Sequence, residues 1–131
     1  MRAIHSDEAF AVAFQTLPQD ELEGRFQEYV ATPPVTHPVV ISHPVTGRKA
    51  LYVNASFTQH FEGWTAAESK PLLQFLFEHA AQIDFTYRFQ WEPGSIAMWD
   101  NRCTWHRALG GHEGHGRVMD RITLDGCAIS A

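Results

Sequence analysis

The chain has 131 residues and a formal net charge of −5, and 44% of its residues are hydrophobic, with four Trp and nine Phe among them. That length is one domain's worth, with apolar mass enough for a core, while the acidic balance argues against a nucleic-acid partner, which would want a basic patch. No run of about 18 apolar residues is present to span a membrane, and Met1 to Asp7 has no apolar signal region, so a cytoplasmic protein is expected.

Two helical pieces are expected first. Phe10, Ala13 and Phe14 recur at helical spacing, as do Leu22, Phe26 and Tyr29; Pro18 separates the pieces and Pro33-Pro34 ends the second. The pattern then turns to strands. Val39-Val40-Ile41 and Lys49-Ala50-Leu51-Tyr52-Val53 flank a connection, His43 to Arg48, that holds the Pro and Gly of a tight turn, which predicts a hairpin. Leu72, Leu73, Leu76, Phe77 and Ala80 make one apolar helical stripe. Its start is open to two readings. Thr65 and Glu68 form a capping box, but a start there puts Pro71 beyond the first turn, where its missing N–H loses a bond. Capping at Ser69 leaves Pro71 in the first turn and is the preferred reading.

Strict alternation then predicts a half-buried strand over residues 85–91, with Phe85, Tyr87, Phe89 and Trp91 on one side. Pro93-Gly94 turns the chain into a second strand at Ser95 to Trp99. Residues 110–116 form a Gly-rich loop, in which His112 and His115 read as solvent-facing, and Arg117 to Leu124 is the last strand. Antiparallel strands with tight turns and one covering helix suggest a mainly β, jelly-roll-like fold with flanking helices. Cys103 and Cys127 match no zinc or redox spacing and read as small buried hydrophobes.

On the last strand, Arg117 and Arg121 share a face by the period of two, with Cα atoms about 13 Å apart. A guanidinium fork matches a carboxylate bidentately, so the pair could grip two different anions, or one long dianion and a neighbour, in a dry pocket. Periodicity alone also allows both arginines to sit on an exposed edge. His106, 11 residues before Arg117 and beside Trp105, is by itself an ordinary structural histidine.

The whole string alters that balance. Trp91-Glu92-Pro93-Gly94-Ser95-Ile96-Ala97-Met98-Trp99-Asp100-Asn101-Arg102-Cys103-Thr104-Trp105-His106, followed by Gly116-Arg117-Val118-Met119-Asp120-Arg121-Ile122-Thr123-Leu124, resembles the C-terminal part of the TauD/TfdA (taurine dioxygenase) family. His37-Pro38-Val39-Val40 and the run from His43 to Asn54 are similar to it too. The resemblance covers residues 35–126 as a β-rich core and, more faintly, a helical 1–34 within a single domain. It implies a partial double-stranded β-helix and an Fe(II)- and 2-oxoglutarate-dependent dioxygenase that hydroxylates a small anionic substrate. That substrate class includes sulfonates such as taurine, sulfate esters and aryloxy acids.

Residue by residue, the resemblance implies His106 as the second histidine of the iron site and Arg117 as the partner of the far carboxylate of 2-oxoglutarate. It implies Arg121 on the substrate anion and Phe57 as an aromatic substrate wall. Asp120 stands where a taurine-specific member would have histidine. The family's metal needs a further His and a carboxylate from an H-x-D or H-x-E motif. His5-Ser6-Asp7 is such a string, but Met1 to His5 looks more like a later helical segment of the L-R-A-x-H type, so His5 and Asp7 rank behind His106 as ligands. The reading therefore expects the C-terminal half of a longer enzyme, with the missing motif encoded upstream of Met1, and leaves a homo-oligomer open. The competing expectation is a non-catalytic remnant that binds an anion or a partner protein without iron.

Overall fold

The computed structural model describes residues 1–9, 12, 31–110, 114, 116 and 118–131. The expected helical pieces around Phe10–Phe14 and Leu22–Tyr29 lie outside the described residues, as do His112, His115 and Arg117. In chain order the described elements are β1 (Arg2–His5), β2 (Val35–Pro38), β3 (Val40–Ser42), β4 (Lys49–Leu51), β5 (Thr58–Phe61) and α1 (Ala66–Ala80), then a 3-10 turn at Ile83–Phe85.

The hairpin forms where turn chemistry places it. β3 pairs antiparallel with β4, Ile41 opposite Ala50. The connection closes through His43 N–H to the Arg48 carbonyl (2.9 Å) and Gly47 N–H to the His43 carbonyl (2.8 Å). Gly47 takes φ +68°, a conformation that a side chain would strain.

The segment from Arg2 to His5 is a strand, which corrects the helical reading of the extreme N-terminus. β1 is the middle strand of a three-stranded antiparallel sheet in the order β2-β1-β5. Ala3 lies opposite His37 on one side and Phe61 on the other. Four residues carry too little periodicity to reveal a strand, and both partners lie 30 or more residues away in the chain. The pairing with β5 slips between Ile4 and His5, where Gln59 is passed over. Such a bulge bends the strand and re-aims its side chains.

Helix α1 covers this sheet. Ala3, Val39, Val53, Phe61 and Leu73 are buried together, with Leu51, Leu72, Leu76 and Phe77 packed around them. The helix begins at Thr65, not at Ser69, so the preferred start is corrected. Thr65 Oγ1 accepts the Glu68 N–H (3.3 Å) while the Glu68 carboxylate accepts the Thr65 N–H (2.8 Å), a complete capping box. Pro71 falls inside the helix. Ser69 is used differently, since its fully buried hydroxyl accepts the Phe61 N–H (3.0 Å) and donates to the Thr65 carbonyl (2.9 Å). It thereby ties the first turn of α1 to the end of β5.

Beyond the helix the expected strands do not form. Residues 86–91, 95–99 and 118–124 pair with no other strand among the described residues. Alternation specifies which side chains would share a face, but a strand also needs a ladder partner for its N–H and C=O groups. Large apolar side chains remain in water here, Ile96 at 92% and Val118 at 92% exposure. Among the described residues the sheet elements dominate, with one long helix, α1, and the jelly-roll closure is absent.

Candidate functional site

Of the residues singled out by sequence, His106 is exposed, its ring 4.8 Å from that of Trp99. Arg121 is exposed as well, and Arg117 lies outside the described residues. Phe57 is placed apart from them by a short, well-bonded loop. Asn54 Oδ1 accepts the N–H groups of Ser56 (3.0 Å) and Phe57 (2.9 Å), and the Phe57 carbonyl accepts the Ser6 N–H (2.8 Å). That last bond brings Phe57 to the end of β1 and to His5 and Asp7.

A cleft of about 240 Å³ opens there, lined by His5, Ser6, Asp7, Thr32, Val35, His37, Tyr52, Asn54 and Phe57. His5 is 7% exposed, and its buried Nε2 has no hydrogen-bond partner among the described residues. Burial, with a smaller push from His37, lowers its pKa to about 4, because a charged imidazole is penalised out of water and beside a second base. Its ring stacks on Tyr52 (5.6 Å, 28°) and meets His37 edge-on (5.3 Å, 80°). Burial also raises the Tyr52 phenol above its usual pKa. The Asp7 carboxylate accepts from Thr32 twice, from the backbone N–H (2.9 Å) and from the hydroxyl (3.0 Å). The sequence pointed to His5, Asp7 and Phe57. His37 and Tyr52 lie in the family-like runs, but nothing in the sequence shows that their rings, arriving from β2 and from just past β4, meet His5.

A second polar group joins the hairpin turn to the C-terminal part. His43 Nε2 lies 3.0 Å from Asp100 Oδ2, and Arg102 donates to both oxygens of the same carboxylate (2.6–3.1 Å). These bonds, above all those from Arg102, hold Asp100 well below the usual carboxylate range, and Asp100 in turn raises Arg102. Cys103 and Cys127 are exposed free thiols, not the buried hydrophobes expected, and Arg102 Nη1 reaches Cys127 Sγ at 3.6 Å. The short turn at Asp100–Cys103 leaves the Cys103 sulfur outside the core.

A sequence model of the "Taurine catabolism dioxygenase TauD, TfdA family" matches residues 5–123. The chain belongs to this family. It is 46% identical over 108 residues to the alpha-ketoglutarate-dependent dioxygenase cnsM of Penicillium expansum, an alignment covering 79% of this chain and 30% of that protein. It is 40% identical over 117 residues to the alpha-ketoglutarate-dependent 2,4-dichlorophenoxyacetate dioxygenase of Cupriavidus pinatubonensis, covering 72% of this chain and 40% of that one. Among solved structures, AAD-2 in complex with Mn(II) and N-oxalylglycine matches with a TM-score of 0.50 and 30% identity, over 70% of this chain and 34% of that one. The chain thus spans 30–40% of the length of these relatives.

Its relatives are 2-oxoglutarate-dependent dioxygenases, and a metal and 2-oxoglutarate are the cofactors that the family implies. The described residues do not form a site for that metal. The one group of three donors that comes together among them is His43, Asp100 and Cys103, and its carboxylate is already occupied by Arg102. His106 is not part of it. His5 and Asp7 line the cleft with His37 and Tyr52, not with His106.

Proposed function

We propose that this chain is the part of a TauD/TfdA-type oxygenase that carries one iron ligand and the anion clamps. His106 is that ligand, Arg117 pairs with the far carboxylate of 2-oxoglutarate, Arg121 meets the substrate anion and Phe57 supplies an aromatic wall. The other histidine and the carboxylate of the metal site come from the part of the family fold that this chain does not span. The whole enzyme hydroxylates a small anionic substrate, a sulfonate, sulfate ester or aryloxy acid, at the expense of 2-oxoglutarate. The family match over residues 5–123 carries this reading, because it runs through His106, Arg117 and Arg121 in their motif spacing. Arginine suits the two anion-gripping roles because its planar fork binds carboxylate and sulfonate oxygens in pairs and keeps its charge when desolvated.

The test is a chimera. This chain replaces the matching segment of the 2,4-dichlorophenoxyacetate dioxygenase, which supplies the rest of the fold. The chimera should bind 2-oxoglutarate, and Arg117→Ala should weaken that binding by about 3–5 kcal/mol, the cost of stranding a buried carboxylate. Arg121→Ala should act on the prime substrate instead. Equal effects of both variants on 2-oxoglutarate would refute the separate assignments. A folded chimera that does not bind 2-oxoglutarate would favour the second reading, a non-catalytic remnant, whose support is that no donor group around His106 forms among the described residues.

A further inference from the structure

His43 bonds in two directions with one ring. Its Nδ1 accepts the backbone N–H groups of Val45 (3.3 Å) and Thr46 (3.2 Å), inside the turn that its own N–H and carbonyl also close. Its Nε2 lies 3.0 Å from Asp100 Oδ2, 57 residues further along the chain. A backbone N–H can only donate, so Nδ1 presents a lone pair and the ring proton of the neutral imidazole sits on Nε2. The far end of the bond requires the same, because an ionised carboxylate can only accept. The hairpin turn thus selects the tautomer that bonds Asp100, since the bond at one ring nitrogen sets the state of the other. In this form neither ring nitrogen has a lone pair to spare. His43 with Asp100 and Cys103 is therefore a hydrogen-bonded junction and not a metal site, although the three donors lie within 4.8 Å of one another.

The junction holds the part of the chain that its motif singles out. Arg102 grips Asp100 through Nε and Nη2, and its Nη1 reaches Cys127 Sγ at 3.6 Å. The side chains of His43, Asp100 and Arg102 are each 30% exposed or less, which sets them apart from open surface pairs that contribute little. Arg102 and Cys127 bracket residues 103–126, the stretch that carries His106 and Arg121. Close by in sequence, the Ser42 N–H donates to the Ser130 carbonyl (2.9 Å). Trp105, next to His106, meets Phe77 of α1 edge-on, with ring centroids 6.1 Å apart. Both ends of that stretch therefore come together at the hairpin turn.

We propose that His43 is a positioning residue, which docks residues 103–126 onto the β3-β4 hairpin through Asp100, Arg102 and Cys127 and so fixes where His106 and Arg121 stand relative to the packed end of the molecule. The docking rests on hydrogen-bond geometry. Its bearing on catalysis rests on the roles proposed above for His106 and Arg121.

NMR of the 131-residue chain tests this without metal or 2-oxoglutarate. Long-range proton–nitrogen spectra should show His43 protonated at Nε2 and not at Nδ1. Amide exchange then follows two protons: the Ser42 N–H, bonded to the C-terminal tail, and the Tyr52 N–H, bonded to the Val39 carbonyl (2.7 Å) within the packed end. Asp100→Ala should speed exchange at Ser42 about tenfold, as the loss of one net hydrogen bond would, and leave Tyr52 within about twofold. It should also weaken the nuclear Overhauser contact between Trp105 and Phe77. Two changes at the histidine separate its two bonds. His43→Asn keeps an acceptor near the Nδ1 position but does not reach Asp100, and should behave like Asp100→Ala. His43→Gln keeps an N–H donor near the Nε2 position and should retain most of the protection at Ser42. A ring proton on Nδ1, unchanged exchange at Ser42 in Asp100→Ala, equal acceleration at Ser42 and Tyr52, or equal effects of Asn and Gln would each overturn the proposal. The tautomer is read on the unaltered chain, so that arm decides even if a variant does not fold. None of these outcomes involves the binding of 2-oxoglutarate, so this test and that of the proposed enzyme fail independently.

Discussion

At His5, burial and ionisation oppose one another. The folded chain takes up this proton near pH 4, the unfolded chain near 6.5. Between those values the unfolded state binds more protons, so acid favours unfolding. Stability present above pH 6.5 is lost progressively as the pH falls to 4, and lowering the pH further removes no more from this group. With solvent in the adjoining cleft the effect should be about 1–2 kcal/mol, less than the full shift would give. Urea denaturation of the native chain and His5→Phe at pH 7, 5.5 and 4 measures it. The native chain should lose more stability than the variant across that interval, and parallel losses would show that His5 is not held neutral by the fold. Its neighbours were not visible in the sequence. His5-x-Asp7 has the spacing of a metal motif, but Asp7 is held by Thr32 and His5 by His37 and Tyr52, contacts that depend on chain pairing 25 to 47 residues away in sequence.

For elements, the first turn of α1 shows how far pattern reading reaches. The capping box at Thr65 was visible in T-x-x-E, and so was the objection from Pro71. The structure keeps the box and accepts the proline, because Ser69 is needed elsewhere. Thr65→Ala should cost about 1 kcal/mol, a normal cap loss. Ser69→Ala should cost more, about 1–3 kcal/mol, since it strands the buried Phe61 N–H. Denaturant midpoints of the two variants rank them, and a larger loss for Thr65→Ala would mean that the tie between α1 and β5 matters less than the cap. The hairpin of β3 and β4 was legible because its partners are adjacent and its turn contains Gly47. β1 was not, because nothing within four residues announces partners from β2 and β5. Residues 85–91 fail in the opposite sense: their alternation is clear, Phe89 and Trp91 even meet edge-on with centroids 4.8 Å apart, yet no partner strand among the described residues completes a ladder.

Across the molecule, one end is packed and the other holds much apolar surface in water. The core of α1 over the β2-β1-β5 sheet contrasts with Ile96, Met98, Val118 and Ile122, each at least 87% exposed. Exposed apolar surface of this extent is a site for association. Replacing these four residues together by Ser should reduce binding of a hydrophobic dye and self-association in sedimentation, while the melting temperature stays within a few degrees, as for surface changes away from packed features. A large drop in melting temperature would show that they are buried in solution. The family's motif residues lie in this same exposed part, His106 and Arg121 among them. Motif spacing therefore singles them out in the sequence but cannot show a closed site, because closing one takes ligands that His106 does not meet among the described residues.

The central claim is that this chain contributes His106 to a metal site whose other ligands it does not itself bring together. One histidine cannot hold Fe(II), which lies low in the divalent affinity series, since affinity accumulates over correctly placed, deprotonated donors. Anaerobic titration of the isolated chain with Fe(II) and 2-oxoglutarate, followed by the visible absorption that 2-oxoglutarate gives when it chelates protein-bound Fe(II), tests this directly. The account predicts no stoichiometric band. A band reaching one equivalent per chain, lost in His106→Ala and equally in His5→Ala or Asp7→Ala, would contradict it and make these residues a complete site.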